Sequence, residues 1–218
     1  MSLDVVDWRR TTTALYASVR AAADGDPASA HDLWCRGRDA LLADHPASPL
    51  RLEHRASFTG LAVASYDPAF RFEAELETAE PETFEVQTGT DGVASFSRIG
   101  TARLGDLGSL DVWWLGTYGG GVFVPLRDTT AGRTTYGGGR YLLDTVKGAD
   151  LGSPRPGHLV LDLNFAYAPS CAYDPAWACP LAPPGNHLTV DVGVGEQHAG
   201  PWADGRRPQP PISPFSSR

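Results

Sequence analysis

The sequence is poor in the features that mark several common protein classes. It holds three cysteines, Cys35, Cys171 and Cys179, in 218 residues. So sparse and odd a set does not suggest the disulfide framework of a secreted domain. No apolar run approaches the roughly 18 residues of a membrane span, so no membrane partner is expected. The opening residues, MSLDVVDWRR, lack the apolar stretch of a secretory leader, and the expected location is the cytoplasm. Basic residues number 18 against 26 acidic ones, a formal net charge of −8. That balance repels nucleic acid and anionic lipid. There is no G-x-x-x-x-G-K-[ST] loop, no Rossmann context and no G-x-S-x-G elbow. Internal repeats and domain linkers are missing too.

What is present is glycine (24) and proline (18), the punctuation of many short strands. The first segment is the exception. Val5, Trp8, Thr12, Leu15 and Val19 recur at spacings of three and four and predict a helix. Asp24-Gly25-Asp26-Pro27 ends it. Ser29, with Asp32 three residues on, reads as the N-cap of a second helix. Leu33, Trp34, Leu41 and Leu42 form its buried face, and Pro46 and Pro49 close it. From Phe58 the period falls to two. Phe70, Phe72, Ala74 and Leu76 alternate with Arg71, Glu73, Glu75 and Glu77, the pattern of a strand with one wet face. Further strands are expected over 83–87, 93–104, 110–115, 122–126, 140–146, 159–164 and 187–192. Turn signals such as Thr90-Asp91-Gly92 separate them. The prediction is one mostly β domain over 1–199, an antiparallel β-barrel, split barrel or sandwich with two N-terminal helices. Residues 200–218 read as a flexible tail.

The candidate chemistry lies between Asp128 and Pro180. Asp128, Thr129 and Thr130 are suited to starting a turn through bonds to nearby amides. Gly137, Gly138 and Gly139 offer either a tight strand entry or a close approach of backbone to a ligand. Arg140 has two readings: a bidentate hold on a carboxylate or phosphate, or a structural ion pair with Asp128 or Asp162. Asp162 and Asn164, two apart on an expected strand, share a face and either meet water or line a polar cavity with Arg140. Tyr136 and Tyr167 flank this set. Cys171 and Cys179 lie too far apart for the usual zinc spacings, and His158 and His187 complete no familiar metal pattern. Their alternatives are a loop-pinning disulfide, a redox pair, or two buried free thiols.

Two stretches, FVPLRDTTAGRTTYGGGRYL and LDLNFAYAPSCAYDPAWACPLAPPGNHLTVDVGVGE, carry a family likeness. The aspartate–threonine turn, the Tyr-Gly-rich-Arg-Tyr run, Asp-x-Asn, the Cys-bearing Pro-rich loop and Pro-Pro-x-Asn follow in the order seen in the bacterial and archaeal "domain of unknown function 1684" family. The chain resembles that family over about residues 122–197. It departs at Ala168, where members often carry Asn, and at Gln197, where they often carry Lys. The resemblance implies a β-rich domain of this size and no particular reaction.

Three functional classes follow. The first is a small-molecule-binding barrel, an enzyme or not, whose Tyr136, Arg140, Asp162, Asn164 and Tyr167 hold an anionic ligand; a flavin is one version. The second is a non-catalytic module in which the polar block is a buried hydrogen-bond network. The third is metal or redox chemistry at Cys171 and Cys179.

Overall fold

The computed structural model describes residues 3–88, 92–116 and 118–198. Thr90 and Asp91 of the expected turn, and the expected tail, lie outside them. Helix α1 (Leu3–Ala23) and helix α2 (Pro27–Asp44) pack side by side. Their contact is close at Gly37, where an added Cβ would stand 2.5 Å from Leu15 Cδ1. The cap of α2 differs from the expectation at Ser29. Asp26 caps the helix instead, accepting from the amides of Ala28 (3.0 Å) and Ser29 (3.3 Å) and from the Ser29 hydroxyl (2.6 Å). Pro27 makes this the better start, because its ring presets the first helical φ and its missing N–H is one the helix leaves unpaired anyway. A short helix α3 (Leu52–Arg55) leads into the sheet. No helix among the described residues is long and apolar enough to cross a membrane.

Seven strands follow: β1 (Arg71–Glu77), β2 (Thr83–Gln87), β3 (Val93–Arg103), β4 (Ser109–Leu115), β5 (Gly121–Leu126), β6 (Arg140–Asp144) and β7 (His158–Asp162). Every ladder is antiparallel, in the order β6-β5-β4-β3-β1-β7, with β2 beside the first half of β3. The sheet is a curled half-barrel carrying the two N-terminal helices. Two bulges help it bend. One falls between Arg98 and Gly100 on β3. The other is at Leu142 on β6, opposite Val124 and Pro125 of β5, where a proline that cannot donate to a ladder is tolerated. A bridge between Tyr141 and Tyr167 then draws β6 toward the segment after β7.

Two expected strands are corrected. β7 stops at Asp162 because the Asp162 carboxylate accepts from the Asn164 amide (3.1 Å) and turns the chain into a 3₁₀ turn over Leu163–Phe165. Residues 187–192 form no strand despite their alternating Leu188, Val190 and Val192; a single parallel bridge joins His187 to Arg127.

The main core joins helices and sheet. Tyr16, Val19, Ala30 and Trp34 pack on Leu110, Val112, Leu142, Leu161 and Phe165. A second cluster is largely aromatic: Phe96, Trp113, Phe123 and Tyr141, with Phe84 stacked on Phe96 at 4.8 Å. Asn186 braces it, accepting from the Trp113 indole (2.8 Å) and donating to the Asp111 and Pro125 carbonyls (2.8 Å each).

His31 of α2 is buried in the main core between Trp34, Tyr66 and Phe165. Its Nε2 lies 3.0 Å from the Asn164 carbonyl oxygen. Burial holds its pKa below the ordinary 6.5, so the folded protein keeps it neutral where the unfolded chain protonates it. Stability tied to this group is present above about pH 6.5 and is lost as pH falls toward the folded-state value. Urea midpoints should therefore drop on acidification through that window. The drop should shrink in a His31→Phe variant, and an identical slope in the two proteins would remove His31 as its source.

Candidate functional site

Arg140 opens β6 immediately after Gly139. Gly139 has φ +87°, and a Cβ there would lie 2.6 Å from the Leu126 carbonyl oxygen, so this glycine serves the sharp strand entry. The guanidinium points into the protein. Its Nη2 donates to Asp128 Oδ2 (2.7 Å) and to the Val192 carbonyl (2.8 Å). Its Nη1 donates to the carbonyls of Val194 and, at 3.4 Å, of Glu196. Asp128 in turn accepts from the amide (2.7 Å) and hydroxyl of Thr130, which meets the Thr135 hydroxyl at 2.8 Å. Both charged side chains are only 1% exposed. Burial lowers the Arg140 pKa against the pull of Asp128. Of the two partners weighed for Arg140, Asp128 is the one it meets, and its donors are taken up by protein groups.

Asp162 and Asn164 belong to a different network. Asp162 Oδ1 accepts from Asn164 Nδ2 (2.7 Å), and Oδ2 receives the Tyr66 hydroxyl (3.2 Å) and Arg71 Nη1 (3.5 Å). The Asn164 amide pairs twice with the Asp67 backbone, at 2.8 Å each. Burial raises the Asp162 pKa, with the bonds from Asn164 and the charge of Arg71 opposing it. No hydrogen bond joins this pair to Arg140, and neither residue lines a described cavity.

The cleft with converging polar groups lies elsewhere, where α1 and α2 cross β6 and the segment after β7. It measures about 80 Å³ and is lined by Tyr16, Arg38, Tyr141, Asp144, Lys147, Tyr167, Tyr173 and Cys179, with Trp8, Leu15, Leu41 and Pro49 among its apolar walls. Of the expected ligand residues, Tyr167 lines this cleft. Tyr136 lines a smaller neighbouring cavity of about 10 Å³, beside Glu196 and His198.

Arg38 is the centre of the cleft. Its guanidinium carbon sits 4.7 Å from the Tyr167 ring centroid and 5.3 Å from that of Trp34, within cation–π range of both. Nη2 donates to Glu196 Oε2 (2.8 Å) and the Tyr173 hydroxyl (3.2 Å). Nε is buried with no hydrogen-bond partner, alone in this among the side-chain polar atoms of the described residues. Desolvation alone would lower the Arg38 pKa, but the surrounding acid and phenols raise it, so it stays a cation. Tyr16 accepts the Trp34 indole proton (3.1 Å), which leaves its own O–H for an acceptor in the cleft. Burial pushes the Tyr16 pKa up to about 12 and Tyr167 well above the ordinary value, so both are neutral donors. At the rim, Lys147 Nζ stands 3.6 Å from Asp144 Oδ2.

The sequence reading passed over Arg38, Tyr16, Asp144, Lys147 and Glu196. One signal for Arg38 was there to use. It falls four residues after Trp34 and three before Leu41, a charge placed on the apolar stripe of α2.

Of the three cysteines, Cys179 lines the cleft. All three are free thiols. The Cys171 amide donates to Cys179 Sγ (3.4 Å), and the Tyr136 hydroxyl approaches Cys171 Sγ at 3.6 Å. Among the described residues no three His, Cys, Asp or Glu side chains converge to hold a metal ion.

A curled antiparallel half-barrel, with a helix pair closing a small polar cleft against its β6 edge, is the class of protein these features define. The chain belongs to the family described as "Protein of unknown function (DUF1684)", whose model matches residues 56–197. Helices α1 and α2 precede that match, so the cleft combines family residues with side chains from outside the matched segment. Among solved structures, the chain is similar to the uncharacterized protein from gene locus rrnAC0354 of Haloarcula marismortui, determined by solution NMR. The two are 32% identical with a TM-score of 0.53, over 75% of this chain and 89% of the other. A search of curated proteins finds no match.

Proposed function

We propose that the protein binds a small molecule with an anionic end in the cleft between the helix pair and β6, and that Arg38 is its anchor. The observation that carries this reading is the buried, unpartnered Nε–H of Arg38. A buried donor without an acceptor costs about 1–3 kcal/mol, more when charged, and an oxyanion in the cleft removes that cost. The cations Arg38 and Lys147 are balanced by Glu196 and Asp144, so the anion is held through the spare Nε–H rather than by an excess of positive charge. The phenols of Tyr16 and Tyr167 supply neutral donors beside them.

Size limits the ligand. A water needs about 10–15 Å³ of such space, so 80 Å³ suits a single-ring or short-chain acid better than a three-ring flavin. Arg140, Asp162 and Asn164 are better read as structural, since each has its polar atoms directed at neighbouring protein groups. This assigns binding and leaves the reaction, if any, to the ligand's identity.

The test uses benzoate as a probe carboxylate with an apolar ring. Titrated into ¹⁵N-labelled protein, it should shift the Arg38 Nε–H resonance in a saturable way. An Arg38→Gln variant should lose at least about tenfold in affinity, the loss of one charge-assisted contact. An Nε–H signal unmoved at millimolar benzoate and millimolar inorganic phosphate would overturn the assignment.

A further inference from the structure

Cys179 forms part of the cleft wall, and Cys171 lies behind it. Seven residues separate them, yet the loop folds back so that the Cys171 backbone meets the Cys179 sulfur. The Cys171 amide N–H points at Cys179 Sγ at 3.4 Å, a fixed dipole of the sign that favours a thiolate. Cys171 Sγ faces the Tyr136 hydroxyl instead, on the side away from the cleft. The two sulfurs are thus inequivalent: Cys179 lines the cleft and has a donor aimed at it, while Cys171, likewise partly buried, does not line the cleft.

We infer that Cys179 and Cys171 form a reversible dithiol–disulfide couple, with Cys179 as the sulfur that attacks a small disulfide entering the cleft and Cys171 as the sulfur that resolves the adduct. The proposal is independent of the anion site, since it needs only access to Cys179. The Cys179 thiolate, having released its proton to solvent, attacks one sulfur of R–S–S–R. The S–S bond of the small molecule breaks and R–S⁻ leaves, taking up a proton as R–SH. Cys171 then attacks Cys179 Sγ in the mixed disulfide. The second R–S⁻ leaves and takes the Cys171 proton. Two protein thiols are oxidised to one disulfide, and one small disulfide is reduced to two thiols.

The electrostatics agree with this division of labour. The neighbouring Cys171 side chain, its amide and the charge of Lys147 pull the Cys179 thiol below its ordinary value against the effect of burial. The same contact and burial push the Cys171 thiol up. Cys35, half-buried on α2 beside Asp39 and Asp32, is raised to about 11 by desolvation and those carboxylates and serves as an internal control.

The experiment incubates the full chain, natively folded, with excess 2-hydroxyethyl disulfide, a short-chain disulfide of a size the cleft admits, and maps adducts by peptide mass spectrometry. The wild type is expected to lose two hydrogen masses and yield a Cys171–Cys179 cross-linked peptide that dithiothreitol reverses. A Cys171→Ser variant should stop at the mixed disulfide on Cys179, while Cys179→Ser should react at least about tenfold more slowly at any remaining thiol. In the wild type, brief iodoacetamide treatment at pH 7 should label Cys179 first, which tests the order of reactivity without a substitution. Three outcomes would overturn the inference: no cross-link in the folded wild type, labelling of Cys35 or Cys171 ahead of Cys179, or a Cys179→Ser variant that reacts as fast as the wild type.

Discussion

Replacing Arg140 with methionine is expected to lower the stability of the protein by about 3–5 kcal/mol, read as a fall in the urea midpoint. The methionine fills much of the space but leaves the Asp128 carboxylate, 1% exposed, without its cation. It also strips the donor from the carbonyls of Val192 and Val194. The effect should be local before it is global. Amide exchange at residues 192–197 should speed up in conditions where β4 and β5 remain protected. A double variant, Arg140→Met with Asp128→Leu, should recover part of the loss, because no buried charge is then left alone. A single variant with an unchanged midpoint would show that the pair is dispensable.

The second large effect is expected at Glu196. Its carboxylate accepts from Arg38 Nη2 (2.8 Å), the Ala168 amide (3.1 Å) and the Tyr173 hydroxyl. Glu196→Ala leaves a cation between two aromatic rings and two further donors without an acceptor, and about 3–5 kcal/mol should be lost. Glu196→Gln keeps the shape and one acceptor, so its cost should be smaller. Its effect on binding should have the opposite sign. With the competing carboxylate neutral, Arg38 should hold benzoate more tightly than in the wild type, so stability and affinity move in opposite directions. Weaker benzoate binding in Glu196→Gln would contradict the role given to Arg38.

Most of the fold was legible because period and punctuation agree. The helix pair and strands β1 to β3 show their periodicity in sequence, while β4 to β6 read as short apolar runs bounded by turn residues. The segment 187–192 misled for a reason that the structure makes clear. Its alternation is that of a strand, but its backbone pairing with residues 127–129 stops at Val190, and the Val192 carbonyl accepts from the Arg140 side chain instead. Sequence periodicity reports which side chains face inward and is silent about what satisfies the backbone. Asp162 misled in a related way, since a carboxylate two residues before an amide is as ready to end a strand as to line it.

The cleft was harder to read because its parts are far apart in the chain. Tyr167 came from a block of polar residues that stand together in sequence. Arg38 came from α2, where the second of two arginines in CRGRDALL looks like solvated surface unless its place on the Trp34–Leu41 stripe is noticed. The prominent polar residues, Arg140, Asp162 and Asn164, turned out to be bound to neighbouring protein groups. Conspicuous polarity in a β-rich core is what a buried network looks like as well as what a pocket looks like.

The contact between Arg38 and Glu196 spans 158 positions along the chain. Helix α2 can form as soon as it is synthesised, since its hydrogen bonds are local. The arginine it carries waits for a carboxylate translated near the other side of the domain. Until Glu196 is in place, Arg38 lacks the carboxylate it pairs with. The site is therefore among the last parts of the molecule to mature, and a nascent or truncated chain that keeps both helices and all seven strands would still lack it. Binding competence becomes a checkpoint for completed folding, separable in time from the appearance of secondary structure.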